Sequence, residues 1–417
     1  MSELLPTLQA QRIRESLVDY LTTTFALTDA DARDNLDRFL KDPDSGMFKG
    51  PYVRLRLPFR PAEPHWNSHF AWLSGFRPYG HQTVAWSRLA SVVDGQPRRP
   101  LPTVVTTGTG SGKTEAFLYP ILDHVLRARA AGETGTKALI LYPMNALAND
   151  QAARLTKLLT TNPALRGVTA ALYTGEMGVQ RTTVTAQGLI TDREVIRDNP
   201  PDILLTNYKM LDQLLLRHED HRLWRASAGS LRYLVLDEFH TYDGAQGTDV
   251  AMLLRRLGLV LKSYWSPDDP GLSDEDWRRP LGRMAPVATS ATLGDKGDPG
   301  VMLDFARTVF GEEFGPDAVV SETRLSLDEW VGDARSRIDG FTPVDVTALD
   351  LDGALTALHA LGPDPTGEQV TQVVLAALYG ELASRFTQAD PVLLLDLCRA
   401  HPLVSALAAR AGEAVAL

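Results

Sequence analysis

Two short stretches carry residue types that can do phosphate chemistry. The first, TGTGSGKT, Thr107 to Thr114, has the spacing of a phosphate-binding loop. Thr107 stands where glycine is usually written, and Gly108, Gly110 and Gly112 leave the chain free to turn tightly. With Thr109 and Ser111, these positions would turn backbone amides toward phosphates at a helix N-terminus. Lys113 would reach the β and γ phosphates of ATP, and the Thr114 hydroxyl would bind Mg2+. The second stretch, LVLDEFHTYDGAQG, is an apolar run that stops at Asp237 and Glu238, with His240 close behind. Such an acidic pair standing alone is ordinary strand-end solvation. Paired with a phosphate loop about 120 residues upstream, catalysis is the better reading. Asp237 can then hold magnesium through water, Glu238 can polarise the attacking water, and His240 can sense the γ phosphate.

These residues need a scaffold that brings them together, and the chain's texture supplies one. Five apolar runs, TVVTT, KALILYP, DILLTN, LRYLVLDE and APVATSAT, alternate with helical or loop segments. That alternation predicts an α/β domain over residues 76–326, a parallel sheet with helices on both faces, whose ligands bind at the carboxyl ends of the strands. Residues 1–75 read as a helical segment followed by an extended lead-in rich in Pro and aromatics, KGPYVRLRLPFRPAEPHW. Residues 327–417 read as a helical tail, with TGEQVTQVVLAALYGELASRF as its clearest amphipathic helix. SPDDPGLSDEDW, Ser266 to Trp277, reads as a solvated acidic loop.

Composition excludes several classes. The chain has 417 residues, 44% hydrophobic and 23% charged, a globular profile with room for two or more domains. Its formal net charge of -10 argues against a protein that coats nucleic acid nonspecifically, although a local basic groove is invisible in that sum. One cysteine, Cys398, cannot form an internal disulfide. No apolar run approaches the roughly 20 residues that span a bilayer, and MSELLPTLQAQRIRES lacks the pattern of an export signal. The expectation is a cytoplasmic protein with no membrane partner. His65, His69 and His81 lack the partners of a metal site, and the scattered tryptophans suit packing better than base stacking.

TGTGSGKT, DEFH and SAT, the last at Ser290, Ala291 and Thr292, resemble in this order and spacing the first RecA-like domain of a superfamily two DExH-box helicase. PYGHQ resembles the upstream glutamine motif, which implies that Gln82 reads the adenine edge. YPMNALANDQ, YTGE and LLTNYKMLD resemble three strand-gripping motifs. The implied nucleic-acid contacts are Pro143, Met144, Asn145, Thr174, Gly175, Thr206 and Asn207, and Ser290 to Thr292 would couple the two sites. Pro143, Met144 and Asn145 replace the usual Pro-Thr-Arg, so a phosphate-binding arginine is missing there; Arg154 and Lys157 are conceivable substitutes but read first as solvated helix charges.

The run DEFHTYDGAQGTDVAMLLRRL is similar to that of bacterial and archaeal helicases related to the Hrq and Mrf repair proteins, a group with relatives in antiphage defence. Tyr242, Gly244 and Gly247 carry this finer match. The resemblance implies a second RecA-like lobe bearing a Gln-x-x-Gly-Arg-x-x-Arg motif. No such run lies between Leu293 and Leu417, and about 90 residues are too few to house that lobe. The expectation is therefore an N-terminal motor lobe, weakly active alone, completed by a lobe from a longer chain or a partner subunit. Its expected ligands are ATP, Mg2+ and a nucleic-acid strand, DNA before RNA, with defence-complex proteins as conceivable partners. Two other classes stand beside this one. A nucleotide-gated assembly module would bind ATP without unwinding anything, and a P-loop kinase fits poorly with SAT and PYGHQ.

Overall fold

The computed structural model describes residues 6–42, 45–47, 52–63, 66, 70, 72–73, 75–108, 110–176, 178–291, 298–338, 340–362, 365–380, 391–412 and 415–416. Thr109, Thr292, His65 and His69 lie outside the described residues. The chain divides into two compact units, Phe59–Thr323 and a second formed by Met1–Pro58 with Arg324–Leu417.

The larger unit is built on a seven-stranded sheet in which every described pairing is parallel. In chain order its strands are β1 (Thr103–Thr106), β2 (Ala138–Tyr142), β3 (Ala170–Leu172), β4 (Ile203–Asn207), β5 (Tyr233–Leu236), β6 (Ala285–Ser290) and β7 (Val319–Ser321). In space the order is β7-β1-β6-β5-β2-β4-β3. The five apolar runs of the sequence supply the five inner strands. The two edge strands, of three residues each, are too short to stand out as periodic segments.

The inner strands are apolar because both faces are covered. Along β2, β4 and β5 alternate side chains enter different cores, as the two-residue period of a strand requires. Leu139, Leu141, Leu204, Leu234 and Leu236 join one cluster, whereas Ala138, Ile140, Tyr142, Ile203, Leu205, Tyr233 and Val235 join the other. The helices that matter for the site are α1 (Gly80–Leu89), α2 (Lys113–Ala130), α3 (Asn145–Thr161), α4 (Tyr208–Leu216) and α5 (Gly244–Lys262). Four of them start just beyond the carboxyl end of a strand, which sets their N-termini along one edge of the sheet.

Two details depart from the sequence reading. The lead-in from Phe59 belongs to the sheet unit: Pro61 bridges Tyr79, and Arg60 N–H donates to the Thr323 carbonyl at 2.8 Å. The acidic stretch is not wholly a solvated loop. Ser273 and Asp276 form a reciprocal cap on a short helix, Asp274–Arg278, and Asp276 is buried against Arg99. A carboxylate three residues after serine is a capping signature that its acidic surroundings conceal.

The second unit is mainly helical, with Pro6–Thr24, Ala30–Lys41, Gly367–Tyr379, Pro391–Ala400 and Pro402–Arg410 among its helices. Tyr52–Val53 pairs antiparallel with Val415–Ala416, so the two terminal segments, separate in the sequence reading, form one body. Its small core includes Ile338, Leu375, Tyr379 and Leu397, flanked by a fork of hydrogen bonds from Arg337 to Asp396 at 2.6 and 2.8 Å. The expected amphipathic helix stops at Tyr379 before Gly380, and residues 381–390 lie outside the described set. Among the described residues no single helix is long and apolar enough to cross a membrane.

Candidate nucleotide and strand site

The loop between β1 and α2 is shaped by glycine. Gly110 and Gly112 take φ of 79° and 76°, the left-handed region in which other residues are strained. A Cβ on Gly112 would lie 2.2 Å from Gln82 Nε2, so this position excludes a side chain on two counts. Gln82 is itself buried, 1% exposed. Its Oε1 accepts from Tyr79 N–H at 2.9 Å, and its Nε2 donates to the Gly112 carbonyl at 3.0 Å. His81 adds a contact of 2.9 Å from Nε2 to the Ser111 carbonyl. The PYGHQ segment thus braces the back of the loop, and the amide implied as an adenine reader is committed here to backbone partners.

On the other side, Ser111 Oγ donates to Thr107 Oγ1 at 2.7 Å and Thr107 N–H to the Ser290 carbonyl at 3.1 Å. Gly108 N–H donates to Glu322 Oε2 at 2.6 Å, a carboxylate that follows β7 and that no motif announces. Thr114, half-buried, sits in the first turn of α2.

Lys113 and the acidic pair come together because β1 and β5 both flank β6. Lys113 Nζ donates to Glu238 Oε1 at 2.9 Å. Glu238 is a non-glycine residue in the left-handed region, φ 51° and ψ 49°, a conformation that costs on the order of 1–3 kcal/mol and persists where surroundings over-determine it. Here they do. Its N–H donates to Asp237 Oδ1 at 3.1 Å and to Thr289 Oγ1 at 3.3 Å, and its carbonyl accepts from the Thr241 hydroxyl at 2.7 Å.

Asp237 is buried and also accepts from the Thr289 hydroxyl. Burial pushes its carboxyl upward, while the Thr289 hydroxyl and Lys113 oppose that shift. Thr289, one residue before SAT, is therefore part of the acidic site, a role sequence reasoning missed. His240 Nδ1 lies 3.2 Å from Ser290 Oγ and 3.6 Å from Glu238 Oε2, which links DEFH to SAT directly. Ala291 is exposed just past β6. Tyr242 is fully buried, and Gly247 lets α5 pass the Tyr242 carbonyl, which a Cβ would meet at 2.3 Å. Both serve packing.

The segments that resemble strand-gripping motifs occupy the other half of the same edge. Asn207, at the end of β4, donates from Nδ2 to Asn145 Oδ1 at 2.6 Å and caps α4 by accepting from Met210 N–H at 2.7 Å. Asn145 and Asn149 each donate to Glu176, at 3.0 Å to Oε1 and Oε2 respectively. Pro143, Met144, Asn145, Gly175, Asn207 and Lys209 line a cavity of about 500 Å3, and Met144 stands 56% exposed. An adjoining cavity of about 600 Å3 shares Gly175 and adds Arg181, Arg193 and Arg217.

Thr174 is buried, its carbonyl accepting from Arg193 at 3.4 Å. Thr206 is fully buried and donates to the Tyr173 carbonyl at 2.6 Å, so it holds β4 to the YTGE turn and is not open to a strand. Arg154 pairs with Glu115 on α2, and Lys157 is exposed on α3. Three arginines, Arg181, Arg193 and Arg217, line the adjoining cavity, and their spacing in the sequence gave no signal.

The chain belongs to the DEAD/DEAH box helicase family, whose model matches residues 86–296, just over half of it. Among curated proteins it is similar to the Druantia protein DruE of Escherichia coli, 27% identical over 398 aligned residues that cover 68% of this chain and 20% of that protein. It is also similar to the uncharacterized ATP-dependent helicase YprA of Bacillus subtilis, 33% identical over 202 residues covering 48% of this chain and 22% of that one. The ATP-dependent helicase hrq1 of Schizosaccharomyces pombe is 29% identical over 161 residues, covering 39% and 13%. These relatives agree with the Hrq- and Mrf-related group that the DEFHTYDGAQG turn resembles. The chain spans about a fifth of the length of the first curated relatives it matches. Among solved structures it is similar to the DUF1998 helicase MrfA bound to DNA, with 23% identity, a TM-score of 0.46, and coverage of 65% of this chain and 32% of that one.

Proposed function

We propose that this chain is the ATP-binding lobe of a nucleic-acid helicase or translocase that hydrolyses ATP to ADP and phosphate when a second RecA-like lobe completes the site. The observation that carries this reading is the physical chain Lys113–Glu238–His240–Ser290. It joins the phosphate loop to the motif expected to couple ATP state to strand grip.

The residues fit a nucleoside triphosphate with magnesium. Gly112 leaves open a turn that any Cβ would close, α2 offers its N-terminal amides, and the donors are one lysine, one hydroxyl and one buried carboxylate. Magnesium, when bound, would neutralise charge on the phosphate oxygens. Thr114 and Asp237 would hold it. Lys113 would exchange Glu238 for phosphate oxygens. Glu238, so released, would orient the attacking water and accept its proton. His240, within reach of both Glu238 and Ser290, would pass the change to β6.

On the strand half, Asn145, Gly175 and Asn207 would position the backbone through neutral donors, with Arg181, Arg193 and Arg217 supplying charge. The resemblance to repair helicases makes DNA the strand to test first, and repair and antiphage defence are the settings it implies.

The test is ATP turnover of the full chain with and without single-stranded DNA or RNA, with Glu238→Gln as the blank. Strand-stimulated turnover absent from the blank supports a motor. Nucleotide binding with no turnover, even after a second lobe is supplied, would replace it with a nucleotide-gated assembly module.

A further inference from the structure

A cavity of about 450 Å3 lies at the opposite ends of the strands from the ATP loop, lined by Arg98, Arg99, His124, Arg127, Arg232 and Arg283 among others. Its walls come from four separate segments. Arg98 and Arg99 precede β1, Arg232 immediately precedes β5, Arg283 lies two residues before β6, and His124 and Arg127 belong to the last turns of α2. Because α2 begins in the phosphate loop at Lys113 and lines this cavity by Arg127, the two sites stand about 20 Å apart along the helix at 1.5 Å per residue.

The charge balance is lopsided. Arg99 pairs with Glu275 and Asp276, and Arg127 with Asp123. Among the described residues, Arg98, Arg232 and Arg283 form no direct ion pair with a carboxylate, although Asp276 lines the same cavity and acts on Arg232 and Arg283 from farther away, as Glu133 does on Arg232. Arg98 donates to the carbonyls of Ser87, Arg88 and Ala90, and Arg232 and Arg283 share one carbonyl, that of Gly229, at 2.8 and 3.3 Å. The carboxyl end of α2 contributes roughly half a negative charge. Arg127 and Arg129 in its last turn already answer that charge.

Burial and the neighbouring Arg283 hold the Arg232 guanidinium down at about 10. The His124 imidazole, driven to about 3 by burial and by Arg232, Lys137 and Arg127, is neutral at pH 7. Bringing three guanidinium groups without direct carboxylate partners to one concave wall, with Asp276 already paired to Arg99, costs free energy that a bound anion would offset. Guanidinium forks suit the paired oxygens of phosphate, and the volume suits a small ligand.

We propose that this cavity is a second anion site, separate from the ATP loop, that takes a phosphoryl group through Arg98, Arg232 and Arg283. The group would come either from a free phosphorylated compound or from the backbone of a nucleic-acid strand. The expected gain is specific to these arginines because His124 stays neutral and Arg99 and Arg127 stay paired.

The experiment is calorimetric titration of inorganic pyrophosphate into full-chain Lys113→Ala protein, in which the ATP loop is disabled. Saturable binding that weakens tenfold or more on adding Arg232→Gln and Arg283→Gln is the expected result. A 12-nucleotide single-stranded DNA that displaces the pyrophosphate, and loses affinity through the same two substitutions, would identify the source as strand backbone. Failure of the DNA to compete would identify a free phosphorylated compound. Should the substituted chain fold poorly, phenylglyoxal labelling of the unsubstituted chain, saturated with ATP at its loop, replaces it: pyrophosphate should shield Arg232 and Arg283 at least threefold by mass spectrometry. No pyrophosphate binding to Lys113→Ala protein, or unchanged labelling of both arginines, overturns the proposal.

Discussion

The two halves of the sheet edge are built from different chemistry. On the β7-β1-β6-β5 half, charge meets charge: Lys113 rests on Glu238, and Asp237 is buried beneath them. On the β2-β4-β3 half, neutral amides meet one another, and one acid, Glu176, gathers Asn145 and Asn149. A nucleotide site needs groups that change partners when phosphate arrives, and an ion pair does this at full strength. Contacts spread over several amides and over Arg181, Arg193 and Arg217 would position a strand's backbone without depending on any one of them. The first half should therefore collapse when one residue is lost, and the second should respond in small steps.

Lys113→Ala tests this most severely. Removing one partner of a partly buried charge pair costs about 2–5 kcal/mol, so nucleotide affinity should fall by about 30-fold to several thousandfold in a fluorescent-ATP titration. Near-normal affinity would mean that TGTGSGKT is not the phosphate loop.

Glu238→Gln comes next. It keeps the size and one acceptor but not the base, so binding should persist while turnover falls roughly 100- to 10,000-fold, the range for loss of general-base assistance. Turnover within tenfold of the parent would move the base elsewhere.

Gly112→Ala tests the loop's geometry apart from its charge. Its φ of 76° and the 2.2 Å approach of Gln82 predict a loss of about 1–3 kcal/mol in stability by thermal unfolding, with weaker nucleotide binding. Unchanged stability would show that the Gln82 brace gives way freely.

The smallest effect belongs to the strand half. Glu176→Gln removes one negative charge from the groove and keeps an acceptor for Asn145 or Asn149. Single-stranded DNA should bind about fivefold tighter, a change of ~1 kcal/mol. Weaker binding would make Glu176 a structural clamp that the groove needs, and the contrast between the halves would lose its sharpest support.

Much of the nucleotide half was legible in the sequence because its chemistry is local. Glycines that permit left-handed turns, a lysine and threonine opening a helix, and acids at a strand end are each set by a few consecutive residues. The five inner strands were legible because burial on both faces demands unbroken apolar runs. Burial of Asp276 was not, since its partner Arg99 lies far away in the chain. Neither was the commitment of Gln82 to the loop's backbone, which depends on where α1 docks.

What the sequence by itself determined is the set of side chains able to do chemistry and the strands that end at them. What only the tertiary structure decided is their sorting. In the chain, strand motifs lie between TGTGSGKT and DEFH; in space, the β7-β1-β6-β5-β2-β4-β3 order places every nucleotide motif on one half of the edge and every strand motif on the other. It also brought in Thr289, Glu322 and the groove arginines, and it gathered Arg98, Arg232 and Arg283 at the far end. The physical reason is that parallel strands joined by helical crossovers can be inserted between earlier neighbours, so adjacency in space is set by how both faces of the sheet are buried and not by order along the chain.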